Sequence, residues 1–154
     1  IDYRPYSWPS AEIAQDVLSR AGALSDMIVG NDEEFGFMAG NIAKGHAKAQ
    51  DLAEESAEIV IYKMGEKGAV TYAGGDVITT GIYPVTALKP TGAGDSFMAG
   101  LMAAIASGHG LKDAIHRGSA CAAIVVGKPG CAPALPDLAE LDSFLNTHPG
   151  PNKA

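Results

Sequence analysis

The hydrophobic positions of the chain alternate between short continuous runs and helical spacing. Residues 10–20 carry the signals of a helix, with Pro9 before it, Ser10 as N-cap and Gly22 just past the end. Met27, Ile28 and Val29 form an apolar run preceded by Asp26 and closed by Gly30-Asn31, the pattern of a buried strand. A short helix is predicted from Asp32 to about Gly40, and a more polar one over residues 44–56. Residues 59–62 are the clearest strand, a β-branched run that stops at Lys63-Met64-Gly65. Over residues 69–83 the turn signals Gly74-Gly75 and Gly81 separate two or three short strands. Phe97, Leu101 and Ile105 then recur at every fourth position, with Met98 and Met102 beside them as core residues, until residues 107–110 end that helix. Another helix runs over about residues 111–126, with Leu111, Ile115, Ala122 and Val126 on one face. After the Gly/Pro-rich turn 127–136, a final helix is expected near residues 138–145, then a disordered tail over 149–154.

Strands that are apolar throughout, alternating with helices, predict an α/β fold with helices on both faces of a mostly parallel sheet. In such sheets, ligands bind outside the carboxyl ends of the strands. Asn31, Gly65 and the Gly92 loop each follow a strand directly, so they are expected to line one crevice.

At 154 residues, with 47% hydrophobic and 19% charged positions, the chain has the size and composition of one globular domain. Eleven basic residues against eighteen acidic ones give a net charge of −7, which argues against nucleic acid and anionic membrane as partners. A phosphate site must then be local, built from backbone amides and a few cations. No apolar run approaches the ~18 residues of a membrane span, and the start does not resemble a signal peptide. Cys121 and Cys131 fit no zinc or CxxC spacing and read as reduced thiols of a cytoplasmic protein. His46, His109, His116 and His148 show no metal-ligand pattern. The chain opens on Ile1-Asp2-Tyr3-Arg4 without an initiator methionine, as expected of a segment cut from something longer.

Most of the chemical information lies in Lys89-Pro90-Thr91-Gly92-Ala93-Gly94-Asp95-Ser96-Phe97. Two glycines around an alanine allow a close turn that opens an amphipathic helix. The N–H groups of Ala93, Gly94 and Asp95 are then expected to point from the helix N-terminus, where an anion binds without a lysine. Asp95 falls in the first turn of that helix, at the positive end of its dipole. A carboxylate beside an anion hole suits phosphoryl transfer, the amides holding the γ-phosphoryl and the carboxylate taking the proton of the attacking hydroxyl. Spacing alone leaves open a plain glycine turn whose aspartate caps a helix. It is no Walker A loop, since GxxxxGK followed by Ser or Thr occurs nowhere. It is no Rossmann fingerprint either, because Phe97 stands where the third glycine belongs.

Residues 91–97 resemble the second signature of the ribokinase-like carbohydrate kinases. Three further segments resemble that family's motifs in its own order. They are Asn31-Asp32-Glu33-Glu34 for NxxE, residues 63–68 for the strand-to-turn element along the nucleotide, and Asp2-Tyr3-Arg4 with Trp8 for the DxNxRxxLW strand end. The resemblance spans residues 1 to about 131 and implies a three-layer, doubly wound α/β fold using ATP and Mg2+. It implies Asp95 as catalytic base and Gly92, Ala93 and Gly94 as the anion hole. Asn31, Glu34, Lys63, Gly65, Gly68, Thr91 and Gly130 are expected at the nucleotide, with Glu34 acting indirectly on magnesium. Arg4 is expected to reach the phosphate or the acid substrate, beside Asp95. Small residues over 120–127 and at 130–132 are expected at the adenine, unless they serve helix packing. The wording IDYRPYSW, GNDEEFGFMAG, IYKMGEKGA and ALKPTGAGDSFMAG is similar to the branch that phosphorylates a keto-deoxy sugar acid of myo-inositol breakdown. Kinases of 2-keto-3-deoxygluconate, fructose or nucleosides, and a non-catalytic nucleotide-binding fragment, are the alternatives.

Two departures stand out. Lys89 replaces the acidic residue that in many members helps hold a monovalent cation, so its ammonium is expected to take over that charge. Family members are also roughly twice as long, and the half carrying the lid and most sugar contacts has no counterpart here. Residues 1–148 are thus read as the nucleotide-binding and catalytic part, with little turnover of their own, and 149–154 as the tail. A homo-oligomer stays open.

Overall fold

The structure is a computed structural model that describes residues 4–151. Its contacts divide the chain into two compact units, Ile1–Thr79 and Thr80–Ala154.

In the first unit, α1 (Ala11–Gly22) starts at Ser10, whose hydroxyl accepts the Ile13 N–H at 3.3 Å. The helix runs through Gly22 rather than stopping before it, and the glycine lies buried beside Met38, Ile28 and Leu52. Strand β1 (Met27–Asn31) leads into α2 (Asp32–Met38), and α3 (Gly45–Glu55) leads into β2 (Ile59–Lys63). Strands β3 (Ala69–Ala73) and β4 (Asp76–Thr80) are joined by Gly74-Gly75, both with positive φ, as a tight hairpin turn requires. No further strand follows Thr80 among the described residues. The strand order is β1-β2-β3-β4. The β1–β2 pair is parallel and the β2–β3 pair antiparallel, so the described sheet is mixed where the sequence reading expected it mostly parallel.

One face of this sheet presents Ile28, Val60 and Tyr62 to Phe35, Met38, Ala49 and Leu52 of α2 and α3. Burial of each large apolar side chain there stabilises the fold by about 1.5–3 kcal/mol. Val29 and Ile61, which alternate to the other face, are buried as well, which is why these strands read as continuous apolar runs. Gly36 and Gly45 let α2 meet the start of α3 at backbone distance: a methyl on Gly45 would lie 2.7 Å from the Gly36 nitrogen.

The second unit is built on α4 (Ala93–Ala106), α5 (Leu111–Val126) and α6 (Leu138–Thr147). Gly100 and Gly118 bring α4 and α5 into close contact, a Cβ on Gly118 meeting the Phe97 carbonyl oxygen at 2.7 Å. Phe97 and Leu101 are buried as their spacing predicted, whereas Ile105 and Met98 are half-buried and Met102 is 47% exposed. The core role expected of Met102 is therefore corrected. On α5 the buried face is also broader than expected, since Ala120, Cys121, Ala123, Ile124 and Val125 are buried while Ala122 and Val126 are only partly covered. Tyr83 and Leu141 complete that cluster, with Phe144 packed edge-on to Tyr83. The tail expected over 149–154 lies partly outside the described residues, as do Asp2 and Tyr3.

Candidate active site

In the first unit the two parallel strands end side by side, with Asn31 opposite Lys63. Asn31 is both the last residue of β1 and the N-cap of α2. Its side-chain oxygen accepts the Glu34 N–H at 2.8 Å, and the Glu34 carboxylate accepts the Asn31 N–H at 2.8 Å. The NxxE segment is thus a capping box, with one carboxylate oxygen of Glu34 engaged in holding the helix start. Asp32 and Glu33 stand exposed in the same turn. The phenol of buried Tyr62, which follows Ile61 on β2, is pushed above its ordinary value by burial first and by the Asp32 charge next. Past Lys63 the chain makes a tight turn, with Gly65 and Gly68 at φ +58° and +87° and the Met64 N–H donating to the Gly68 carbonyl at 2.8 Å. Arg4 is exposed ahead of the short turn Pro5–Ser7.

In the second unit, Gly92 is the N-cap of α4 at φ +89°, a left-handed conformation that suits glycine, and no side chain caps this end. Thr91, Gly94 and Asp95 are exposed at the opening. The Ala93 N–H donates to the Pro90 carbonyl at 3.2 Å, so of the amides expected to face an anion this one is already engaged in a turn. The N–H groups of Gly92, Gly94 and Asp95 have no backbone partner among the described residues, and the Asp95 carboxylate has neither hydrogen bond nor ion pair there. Lys89 does not run out to solvent: its ammonium donates to the Thr91 carbonyl at 2.7 Å, with Cys131 Sγ at 3.7 Å. Cys131 also covers the loop, lying 3.4 Å from where a Cβ on Gly92 would stand. Gly130 precedes it at φ +80°.

Two features of this end escaped the sequence reading. Ser96 is fully buried and donates its hydroxyl to the Gly92 carbonyl at 2.7 Å and the Ala93 carbonyl at 3.1 Å. A serine four residues after a glycine cap is the signal that was there to be read. The Lys89–Cys131 contact had no such signal. The small residues assigned to adenine divide: Ala120 and Ala123 are buried in helix packing, while Gly130 and Ala132 are exposed. A cleft of about 460 Å³ in this unit is lined by Ala99, Ala103, Arg117, Leu135 and Leu138, and shares only Cys121 with the stretch 120–127. Among the described residues no cluster of three or more His, Cys, Asp or Glu side chains is placed to hold a metal ion, and no helix is long and apolar enough to cross a membrane.

Residues 1–138 match the pfkB family carbohydrate kinases. The chain belongs to this family. It is 38% identical over 152 residues to a 5-dehydro-2-deoxygluconokinase of Photobacterium profundum, covering 96% of this chain and 46% of that protein. A 5-dehydro-2-deoxygluconokinase of Bacillus licheniformis is 34% identical, with 94% of this chain and 45% of that protein covered. This pfkB-family chain thus spans about half the length of the curated relatives it matches. The aminoimidazole riboside kinase of Salmonella enterica, solved with aminoimidazole riboside and an ATP analog, superposes with a TM-score of 0.84 at 23% identity, over 96% of this chain and 51% of the other. Fructokinase of Vibrio cholerae, solved with fructose, ADP and calcium, gives 0.81 at 27% identity, over 93% of this chain and 48% of its own length. The ribokinase-like α/β architecture is therefore shown.

Proposed function

We propose that this chain is the nucleotide-binding and catalytic part of an ATP-dependent kinase of a keto-deoxy sugar acid. One observation carries the reading. The start of α4 has unpartnered N–H groups at Gly92, Gly94 and Asp95 and an unpaired Asp95 carboxylate on the same turn. Phosphoryl transfer needs donors for the equatorial oxygens of the moving group and an acceptor for the hydroxyl proton, held together in a fixed frame. Here the amides take the phosphoryl oxygens and Asp95 takes the proton. A primary hydroxyl placed against Asp95 becomes the nucleophile, and its proton ends on the carboxylate.

Thr91 borders the same opening, and Gly130 shapes the loop that carries Cys131 over it. Gly65 and Gly68 form a flat turn suited to lie along a nucleotide, with Lys63 before it. Arg4 is assigned to the acid group of the substrate or to phosphate. The donor set also fits magnesium: it favours one or two carboxylates together with substrate phosphates rather than a cage of side chains. Glu34 has a second carboxylate oxygen outside the capping box, beside exposed Asp32 and Glu33. Magnesium bound with ATP supplies charge neutralisation at the phosphates. Lys89 places its ammonium on the Thr91 carbonyl next to the anion loop, so the reading includes activity without a monovalent cation.

The relatives' names, 5-dehydro-2-deoxygluconokinase, support a keto-deoxy sugar acid as the substrate, and the reading extends to myo-inositol breakdown in the cytoplasm. Titration calorimetry of this chain with ATP and magnesium tests the reading, with Asp95→Asn as control. Saturable one-to-one binding that survives the substitution is expected. A folded chain that binds no ATP would overturn the nucleotide assignment. Phosphorylation of the sugar acid is expected only when the remaining length of the relatives is supplied, and is lost in Asp95→Asn.

A further inference from the structure

The carbonyl groups behind the α4 opening are held as deliberately as the amides in front. A peptide unit is one conjugated group, so a donor on its carbonyl oxygen draws charge from its own N–H and makes that N–H a stronger donor. The Gly92 carbonyl belongs to the peptide whose N–H is that of Ala93, and the Ala93 carbonyl to the peptide whose N–H is that of Gly94. Ser96 places its single hydroxyl proton between these two carbonyl oxygens, at 2.7 and 3.1 Å. The side chain is fully buried, and the Gly92 carbonyl also receives the Ser96 N–H at 3.0 Å. One carbonyl earlier, Thr91 receives the Lys89 ammonium, and the same conjugation reaches the Gly92 N–H.

A buried serine that back-bonds to its own helix usually gives slightly less stability than alanine, because the hydroxyl competes with the helix ladder. Here the bond to the Ala93 carbonyl falls on the peptide that presents the Gly94 N–H to the proposed anion hole, and the bond to the Gly92 carbonyl on the peptide whose N–H holds the Pro90 turn beside it. We infer that Ser96 is a positioning residue for the phosphate: its hydroxyl polarises and orients the first-turn peptides of α4 so that they bind the terminal phosphoryl group of ATP. This rests on the kinase reading above. Ser96 touches neither substrate nor nucleotide and acts only through the backbone.

The test uses the 154-residue chain with Ser96→Ala and Ser96→Thr. Threonine keeps a hydroxyl able to bond the same carbonyls. Calorimetry measures the ratio of MgATP to MgADP affinity, since only ATP carries the terminal phosphoryl group. The expected result for S96A is a fall in that ratio of about five- to tenfold, with ADP affinity unchanged and the ratio restored in S96T. Equal weakening of ATP and ADP, or no change in the ratio, overturns the inference and leaves Ser96 a packing residue. In parallel, the amide nitrogen resonances of Ala93 and Gly94 are followed by NMR without nucleotide. They are expected to move upfield in S96A and return in S96T; no movement overturns the inference. If the wild-type chain binds no ATP, the kinase reading fails by itself, and the NMR arm still decides whether Ser96 polarises these peptides. Should S96A not fold, S96C, of similar size with a weak donor, replaces it in both arms.

Discussion

Replacing Glu34 separates two tasks assigned to one carboxylate. In the structure its Oε2 accepts the Asn31 N–H at 2.8 Å, half of the capping box that starts α2. Glutamine keeps an acceptor at that place and removes the charge, whereas alanine removes both. Losing a capping bond costs ~0.5–2 kcal/mol. The upper half of that range applies because α2 has only seven residues and carries Phe35 and Met38 into the core at 0% and 3% exposure. Glu34→Ala is therefore expected to lower stability by about 1–2 kcal/mol. Glu34→Gln loses only its interaction with the helix dipole, about 0.3–1 kcal/mol. Urea unfolding followed by circular dichroism measures both.

Magnesium makes the opposite demand, since it needs the charge and ignores the cap. If Glu34 acts on magnesium, glutamine and alanine should both weaken ATP binding at limiting magnesium, by about tenfold. The deficit should shrink as magnesium is raised. Calorimetric titrations at several magnesium concentrations give the comparison. A glutamine variant with the wild-type magnesium dependence would refute the metal role and leave Glu34 a helix cap. A glutamine variant as unstable as alanine would refute the capping geometry.

Gly118→Ala gains up to about 1 kcal/mol of helix propensity but drives a methyl to 2.7 Å from the Phe97 carbonyl, which only a shift of α4 relieves. A net loss of about 1–2 kcal/mol is expected in urea unfolding. Lys89→Asp removes the ammonium from the Thr91 carbonyl and is expected to make ATP binding depend on added potassium; equal affinity of the variant in sodium and potassium would count against the charge-replacement role. The His116 imidazole is held below its ordinary value of 6.5, first by burial and next by the Lys112 charge, against a smaller opposing effect of Asp113. Its unfolded form binds the proton more readily, so its contribution is full above that value and lost as pH falls through 6.5 toward the folded pKa. His116→Gln should flatten the stability–pH curve in that window, and an unchanged slope would show that other groups set it.

The helix α5 emerged at Leu111–Val126, as its spacing had placed it, because glycines at 110 and 127 bound an uninterrupted apolar pattern. Strands β1 and β2 emerged within two residues of their apolar runs, whereas β4 ends at Thr80, three residues short of the stretch 69–83. Pairing direction was not legible. Ile59-Val60-Ile61 reads as a buried strand whether its neighbours run parallel, as β1 does, or antiparallel, as β3 does. Met102 shows a second limit, since helical spacing marks a residue as facing one way but not whether anything covers that face. The site divides similarly. Gly92 and Asp95 are spelled out locally, but Lys89 meets Cys131 across 42 residues, a contact no local pattern encodes.

In a chain of net charge −7, the helix starts differ in what they leave open to an anion. Helices α1, α2 and α6 begin under side-chain caps, from Ser10, Asn31 and Asp137. At α2 the first turn also carries Asp32, Glu33 and Glu34, so that end is both satisfied and negative. Helix α4 differs on each count. Its cap is a glycine with no side chain to turn inward, its N–H groups at Gly94 and Asp95 are left unpaired, and its nearest charges are one lysine and one aspartate.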